Sequence, residues 1–194
     1  MTAAGYVLGL LSILSGLAIA DLVVSLNRLI RAGGKVKWDW LAPLGAAIAA
    51  ASVVVAWWFG WQNTLDPAYT PSFGRFFVSL GQMALLFLLS CAALPDDVPD
   101  QGIDLRAYYD ANGRYFWGLY ALLTTSFLIK DVIISRMGDL PYMVLGLAWA
   151  GFTLVMALVL AFSRRRWLHM LLAPVILALS MLPNLGWSLQ VAPV

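Results

Sequence analysis

Six long apolar stretches alternate with short polar connections along the chain. Each is close to the roughly 20 helical residues that cross a hydrocarbon core of about 30 Å. The predicted spans cover residues 5–27, 41–62, 73–94, 115–135, 141–162 and 167–187. They leave almost no residues for a separate soluble unit. The pattern therefore predicts a single all-α membrane domain over residues 1–194, a polytopic bundle of six transmembrane helices.

Composition supports residence in a membrane and narrows the chemistry. Only 11% of the residues are charged and the mean hydropathy is +0.84, whereas about 25% are charged in a typical soluble domain. The net charge of +2 gives no indication of nucleic-acid binding. The chain has one cysteine, Cys91, and one histidine, His169. This excludes zinc sites built from several such ligands, and we expect no metal or other cofactor.

Basic residues alternate between the connections and predict the orientation. Nine lie in or beside the first, third and fifth connections: Arg28, Arg31, Lys35, Lys37, Arg106, Arg114, Arg164, Arg165 and Arg166. Only Arg75 and Arg136 flank the second and fourth. Because basic connections stay on the cytoplasmic side, the odd connections face inward and both termini are extracytoplasmic. The predicted location is the inner (plasma) membrane of a bacterium.

Charged residues inside the first predicted span are the first functional candidates, since each costs about 2.5–3.5 kcal/mol to insert. Asp21, Ser25 and Arg28 recur at i, i+4 and i+7 and share one helical face. They would form a polar stripe lining a cytoplasmic vestibule. The alternative is an interfacial aspartate that is satisfied by Arg28, Ser25 or water.

A second polar stripe follows the fourth span. It consists of Tyr120, Thr124, Asp131 and Ser135. This face suits a hydrated pathway, but it equally suits hydrogen bonds between helices. The neighbouring Lys130 points about 100° away from Asp131, and its long stem favours snorkelling towards the interface.

The two aspartates lie in similar segments. Residues 19–25 and 129–135 share three identical and three conservatively replaced positions. A duplication of three helices would place the second copy upside down, as in transporters with inverted repeats. The sequence therefore raises the hypothesis of a weak three-plus-three inverted repeat.

Three functions are consistent with these patterns. The preferred hypothesis is a channel or transporter for a small ion or solute that works as a homo-oligomer, with Asp21 and Asp131 at its inner and outer vestibules. The alternative is a non-catalytic subunit that packs against a larger membrane complex, because the first two spans carry faces of small residues. A lipid-modifying enzyme, using the aspartates between residues 95 and 114, ranks third.

Two further expectations concern the cytoplasmic side. Arg164, Arg165 and Arg166 should attract anionic lipid head groups at about 1 kcal/mol each. Asp96, Asp97, Asp100 and Asp104 could present oxygen ligands to a divalent cation, although a solvated acidic loop is the simpler interpretation.

Overall fold

The computed structural model describes residues 3–65, 72–134 and 140–184, and within these ranges the protein is an all-helical bundle. Its six α-helices are α1 (Ala3–Ala32), α2 (Leu41–Leu65), α3 (Phe73–Ala93), α4 (Leu105–Ile134), α5 (Leu140–Phe162) and α6 (Arg166–Met181). The all-α prediction is confirmed. Three stretches are long and apolar enough to cross a membrane: Gly5–Lys35, Leu41–Gln62 and Phe73–Ala93.

The second half of the bundle is less uniformly apolar. α4 begins with a polar segment and ends with Lys130 and Asp131, which lower its hydropathy. α5 and α6 contribute the shorter apolar segments Gly146–Phe162 and Arg166–Met181. α6 ends at Met181, earlier than the predicted residue 187, and continues as the 3-10 turn Leu182–Asn184. Pro183 accounts for this end, because it has no amide hydrogen to continue the helical bonding.

α2 is the central helix, packing against α1, α3, α4 and α6. Small residues fill its first half, which lets neighbouring backbones approach closely. Ile48 and Ala49 are fully buried there. The ring of Phe116 from α4 lies 3.6 Å from where a side chain at Gly45 would begin. The small-residue pattern in the second span thus marks the contact surface at the centre of the bundle.

The two halves of the bundle pack differently. α1, α2 and α3 all pack against one another. In the second half α4 packs closely against α5, whereas α6 packs mainly against α2. The described helices therefore do not repeat one arrangement, and this packing gives no support to the inverted-repeat hypothesis.

The α1–α2, α3–α4 and α5–α6 connections gather at one end of the bundle, called the loop end below. Strand β1 (Val36–Lys37) pairs in parallel with β2 (Ile103–Asp104), which joins the first connection to the third. The hydropathy pattern along the chain does not predict these strands. Beneath them lies a small apolar cluster: Leu29, Val36, Ala42, Leu94 and Leu105. Rigid packing thus holds the predicted cytoplasmic connections together.

Candidate functional site

A line of polar contacts joins α1 to α3 and runs towards the loop end; we call it the seam. The Ser15 hydroxyl bonds to the Leu11 carbonyl at 2.9 Å and lies 3.5 Å from the sulfur of Met83. Further along, Asp21 contacts Cys91. At the loop end, Arg28 contacts the residues that follow α3. α1 and α3 run in the same direction. Polar residues further along α1 therefore contact residues correspondingly further along α3.

Asp21 is the ionisable group of the seam within the first predicted span. Its carboxylate lies beside the Cys91 thiol, and its side chain is half-buried. A thiol is a weak donor, whereas an ionised carboxylate can accept about four hydrogen bonds. The seam therefore provides a carboxylate with remaining capacity for water, a proton or a bound cation.

The other two residues of the predicted α1 stripe, Ser25 and Arg28, lie in different surroundings. Ser25 is only 3% exposed. Arg28 does not pair with Asp21; it donates to the carbonyl of Asp96 and lies 3.5 Å from the Asp97 carboxylate. Arg28 is therefore used at the third connection, and Ser25 or water stays the alternative partner of Asp21. Asp21 belongs to the seam, while Arg28 anchors α1 to the third connection.

The predicted α4 stripe takes part in packing where it is described. Tyr120 is buried, and its hydroxyl lies 3.5 Å from that of Ser180 on α6. The hydroxyl of Thr124 donates to the Tyr120 carbonyl at 2.9 Å. The Tyr120 contact matches the helix–helix alternative, whereas the Thr124 hydrogen bond stays within α4. The side chain of Asp131 and all of Ser135 lie outside the described residues.

A charged cluster at the loop end joins three connections. Arg166, the first residue of α6, forms an ion pair with Asp39 and lies 3.5 Å from Asp110 of α4. The same Asp39 accepts the backbone amide hydrogen of Leu41 at 3.1 Å and so caps α2. The side chains of Asp39 and Arg166 are only 13% and 19% exposed. The sequence predicted that Arg166 contacts lipid head groups. In the structure its guanidinium group instead pairs with carboxylates of the protein.

A second cluster, of neutral polar groups, lies between α4 and α6. The indole N–H of Trp117 donates to the Tyr109 hydroxyl at 2.9 Å. That hydroxyl lies 2.9 Å from Nδ1 of His169, and Nε2 of His169 lies 3.0 Å from the Ser163 carbonyl. Since a carbonyl only accepts, His169 carries its hydrogen on Nε2 and accepts from Tyr109 at Nδ1. All three aromatic residues are buried, so His169 is a packed structural group.

The surroundings of Tyr109 affect its acidity. Burial raises the pKa of Tyr109 to about 12, although the hydrogen bond from Trp117 and the positive charge of Arg166 oppose this. Burial likewise raises the pKa of Tyr108 to about 12, and its hydroxyl donates to the Ala92 carbonyl at 3.3 Å. Both phenols therefore stay protonated at neutral pH and serve as hydrogen-bonding groups.

The acidic residues of the third connection have structural partners. The Asp100 carboxylate lies 3.7 Å from the Lys35 ammonium group. Asp104 accepts the backbone amide hydrogens of Arg106 and Ala107, which caps α4. Among the described residues, no group of three or more His, Cys, Asp or Glu side chains is arranged to hold a metal ion. Asp100 and Asp104 therefore have partners within the first and third connections.

Sequence reasoning missed the loop-end clusters, although local signals for them exist. Asp39 stands two residues before an apolar run, a position typical of a helix cap. Arg166 and His169 are three residues apart and share a face of α6. What the sequence could not supply is the pairing between distant connections, which depends on how the helices pack.

Comparison with known proteins gives no further guide to this site. No protein-family model, curated protein sequence or solved structure matches the chain.

Proposed function

We propose that this protein is a small membrane channel or transporter, and that its substrate passes along the seam between α1 and α3. The observation that carries the proposal is Asp21, a half-buried carboxylate within a predicted span that lies beside the Cys91 thiol. Intramembrane carboxylates are costly, and they are common where ions or protons move. A cation or a proton is the substrate class that suits this group.

Six crossings with a cytoplasmic loop end belong to this proposal. α1, α2 and α3 contain stretches of sufficient length, and α4, α5 and α6 pack beside them. The odd connections meet at one end of the bundle, as alternating crossings require. Nine of the twelve basic residues lie at or near that end, which favours its placement in the cytoplasm.

One chain lacks the space for a pathway through its centre, and self-association would provide that space between two copies. The centre of the described bundle is filled by large side chains, including the fully buried Trp117, Leu89 and Ile176. A substrate moving along the seam would then have α1 and α3 on one side and a second copy on the other. The outer face of α1 suits such contact, because Gly9 and Gly16 are exposed with open space beside them.

Flux through reconstituted liposomes tests the proposal. The protein should conduct H⁺, Na⁺ or K⁺ above the rate of empty liposomes. Asp21→Asn should lower that flux about tenfold or more, as expected if the charge stabilises the moving ion by at least about 1.4 kcal/mol. Asp100→Asn is the matched control, because it makes the same change on an exposed carboxylate. Equal flux in Asp21→Asn and wild type, or no flux in wild type, would contradict the proposal.

A non-catalytic accessory subunit is the second candidate, favoured by the same exposed glycine face of α1. The two functions predict different partners for that face. Purification in a mild detergent should give a homo-oligomer if the protein is a channel. Foreign subunits in fixed stoichiometry, together with no flux in liposomes, would favour the accessory role.

A further inference from the structure

The basic residues at the loop end fall into two groups. Arg28, Lys35 and Arg166 each pair with a carboxylate of another connection. The other group consists of exposed residues that form no ion pair within the described part of the chain: Arg31, Lys37, Arg106, Arg114, Arg164 and Arg165. The ion pairs thus neutralise three of the nine basic residues near the loop end and leave these six without one.

Three arginines of the second group come together where α4, α5 and α6 meet. The guanidinium carbon of Arg114 lies 5.6 Å from the centre of the Phe162 ring at the end of α5. Arg164 and Arg165 follow Phe162 after one intervening residue, Ser163, in the turn that leads to α6. This cation–π contact holds Arg114 beside the turn, so three positive charges share one corner of the bundle.

Exposed aromatic rings surround the same corner. Phe162 is 72% exposed and Trp167 is 57% exposed, and Tyr115 is exposed beside Arg114. Aromatic residues of this kind sit at the level of lipid head groups, and arginine forms paired hydrogen bonds with phosphate oxygens. At this corner, apolar rings can therefore contact lipid acyl chains, and guanidinium groups close to them can bind a lipid phosphate.

We propose that the α4–α5–α6 corner binds the phosphate of an anionic phospholipid through Arg114, Arg164 and Arg165. Arg166 takes no part, because Asp39 and Asp110 already neutralise it. The site differs from a diffuse positive surface in that Arg114, fifty residues distant in sequence from Arg164, is an essential member.

Lipid binding by variants of equal charge tests this site. Native mass spectrometry of the detergent-purified protein would measure retention of phosphatidylglycerol and phosphatidylcholine. The site variant is Arg114→Gln/Arg164→Gln/Arg165→Gln. The matched control is Arg31→Gln/Lys37→Gln/Arg106→Gln, which removes three exposed charges from the same end. Phosphatidylglycerol should bind the site variant about 100-fold more weakly than wild type, because each basic residue near the membrane surface contributes about fivefold.

The control variant should bind phosphatidylglycerol within about threefold of wild type, and phosphatidylcholine should bind all three proteins weakly. The single variant Arg114→Gln should bind phosphatidylglycerol about fivefold more weakly than wild type. It serves as a milder test if the triple variant does not fold. Equal losses in the two triple variants would overturn the proposal, since they would indicate a diffuse electrostatic effect. Equal retention of phosphatidylcholine, or displacement of the lipid by millimolar inorganic phosphate, would overturn it as well.

Discussion

Arg166, at the start of α6, forms a largely buried ion pair with Asp39, the residue that caps α2. The two residues are 127 positions apart in the chain. This contact fixes the last described α-helix to the central one, and it joins the first connection to the fifth. It does so at the end of the bundle where the third connection is already attached by β1 and β2.

Loss of Arg166 should destabilise the protein strongly. Arg166→Gln leaves Asp39 buried without its partner, which costs about 3–5 kcal/mol when a buried pair is broken. Thermal unfolding in a mild detergent would measure the effect. Arg165→Gln, one residue earlier and exposed, should change stability by no more than about 0.5 kcal/mol. The double variant Asp39→Asn/Arg166→Gln should recover part of the loss, and no recovery would argue against a direct interaction.

Alkaline pH should weaken the contact between α4 and α6. The pKa of Tyr109 is raised from 10.0 to about 12 by burial, so the folded state favours the protonated phenol. This difference of about two pKa units contributes about 2–3 kcal/mol to the free energy of unfolding. The contribution is complete below pH 10 and is lost as the pH rises through 12. The groups facing this phenol are His169 and Trp117 by hydrogen bonds, with Arg166, Asp110 and Asp39 nearby.

Unfolding temperature measured between pH 8 and pH 12 tests this prediction. Tyr109→Phe should be less stable than wild type at pH 8, because Nδ1 of His169 loses its donor. The same variant should lose less stability than wild type between pH 10 and pH 12. Tyr115→Phe is the control, since Tyr115 is exposed, and its pH profile should follow that of wild type. Parallel profiles for Tyr109→Phe and wild type would contradict the assignment.

A single glycine allows the first and third connections to pair. Gly102 has φ of +88°, and a side chain there would clash with the carbonyl oxygen of Lys35. Gly102→Ala should therefore cost about 2 kcal/mol or more through backbone strain and loss of close approach. Gly34→Ala is the control, because its added carbon meets open space. Limited proteolysis should cut residues 95–104 faster in Gly102→Ala only.

Cys91 provides a natural reporter for the proposed pathway. It is the only cysteine in the chain and lies on the seam beside Asp21. If substrate moves along the seam, a small cationic thiol reagent applied from the loop end should modify Cys91, and a permeant cation should slow the reaction. Cys91→Ala measures background labelling. A thiol that reacts from neither side of the membrane would argue against water in the seam.

The apolar runs were sufficient to predict that there are helices and roughly where they lie, although α4 begins at Leu105, ten residues before the predicted span, because its first turns are polar. The bounds of the second and third spans agree closely with α2 and α3. The sixth differs because Pro183 ends the α-helical bonding early. Local pattern thus carries helix position well, except where a residue changes backbone hydrogen bonding near an end.

Side-chain partners could not be predicted in the same way. The sequence singles out Asp21 as an ionisable group within a predicted span, but its contact with Cys91 depends on how α1 packs against α3. Likewise, Arg166 looked like a surface arginine within a basic run, and only the fold brings Asp39 and Asp110 to it. Charge alone does not distinguish an arginine that meets lipid from one that joins helices.

The central place of α2 has a consequence for biogenesis. Between its end at Leu65 and the start of α6 at Arg166, the ribosome must produce three more helices. Until then the side of α2 that packs against α6 has no partner there. The contacts between α2 and α6 therefore form only after α6 has been made.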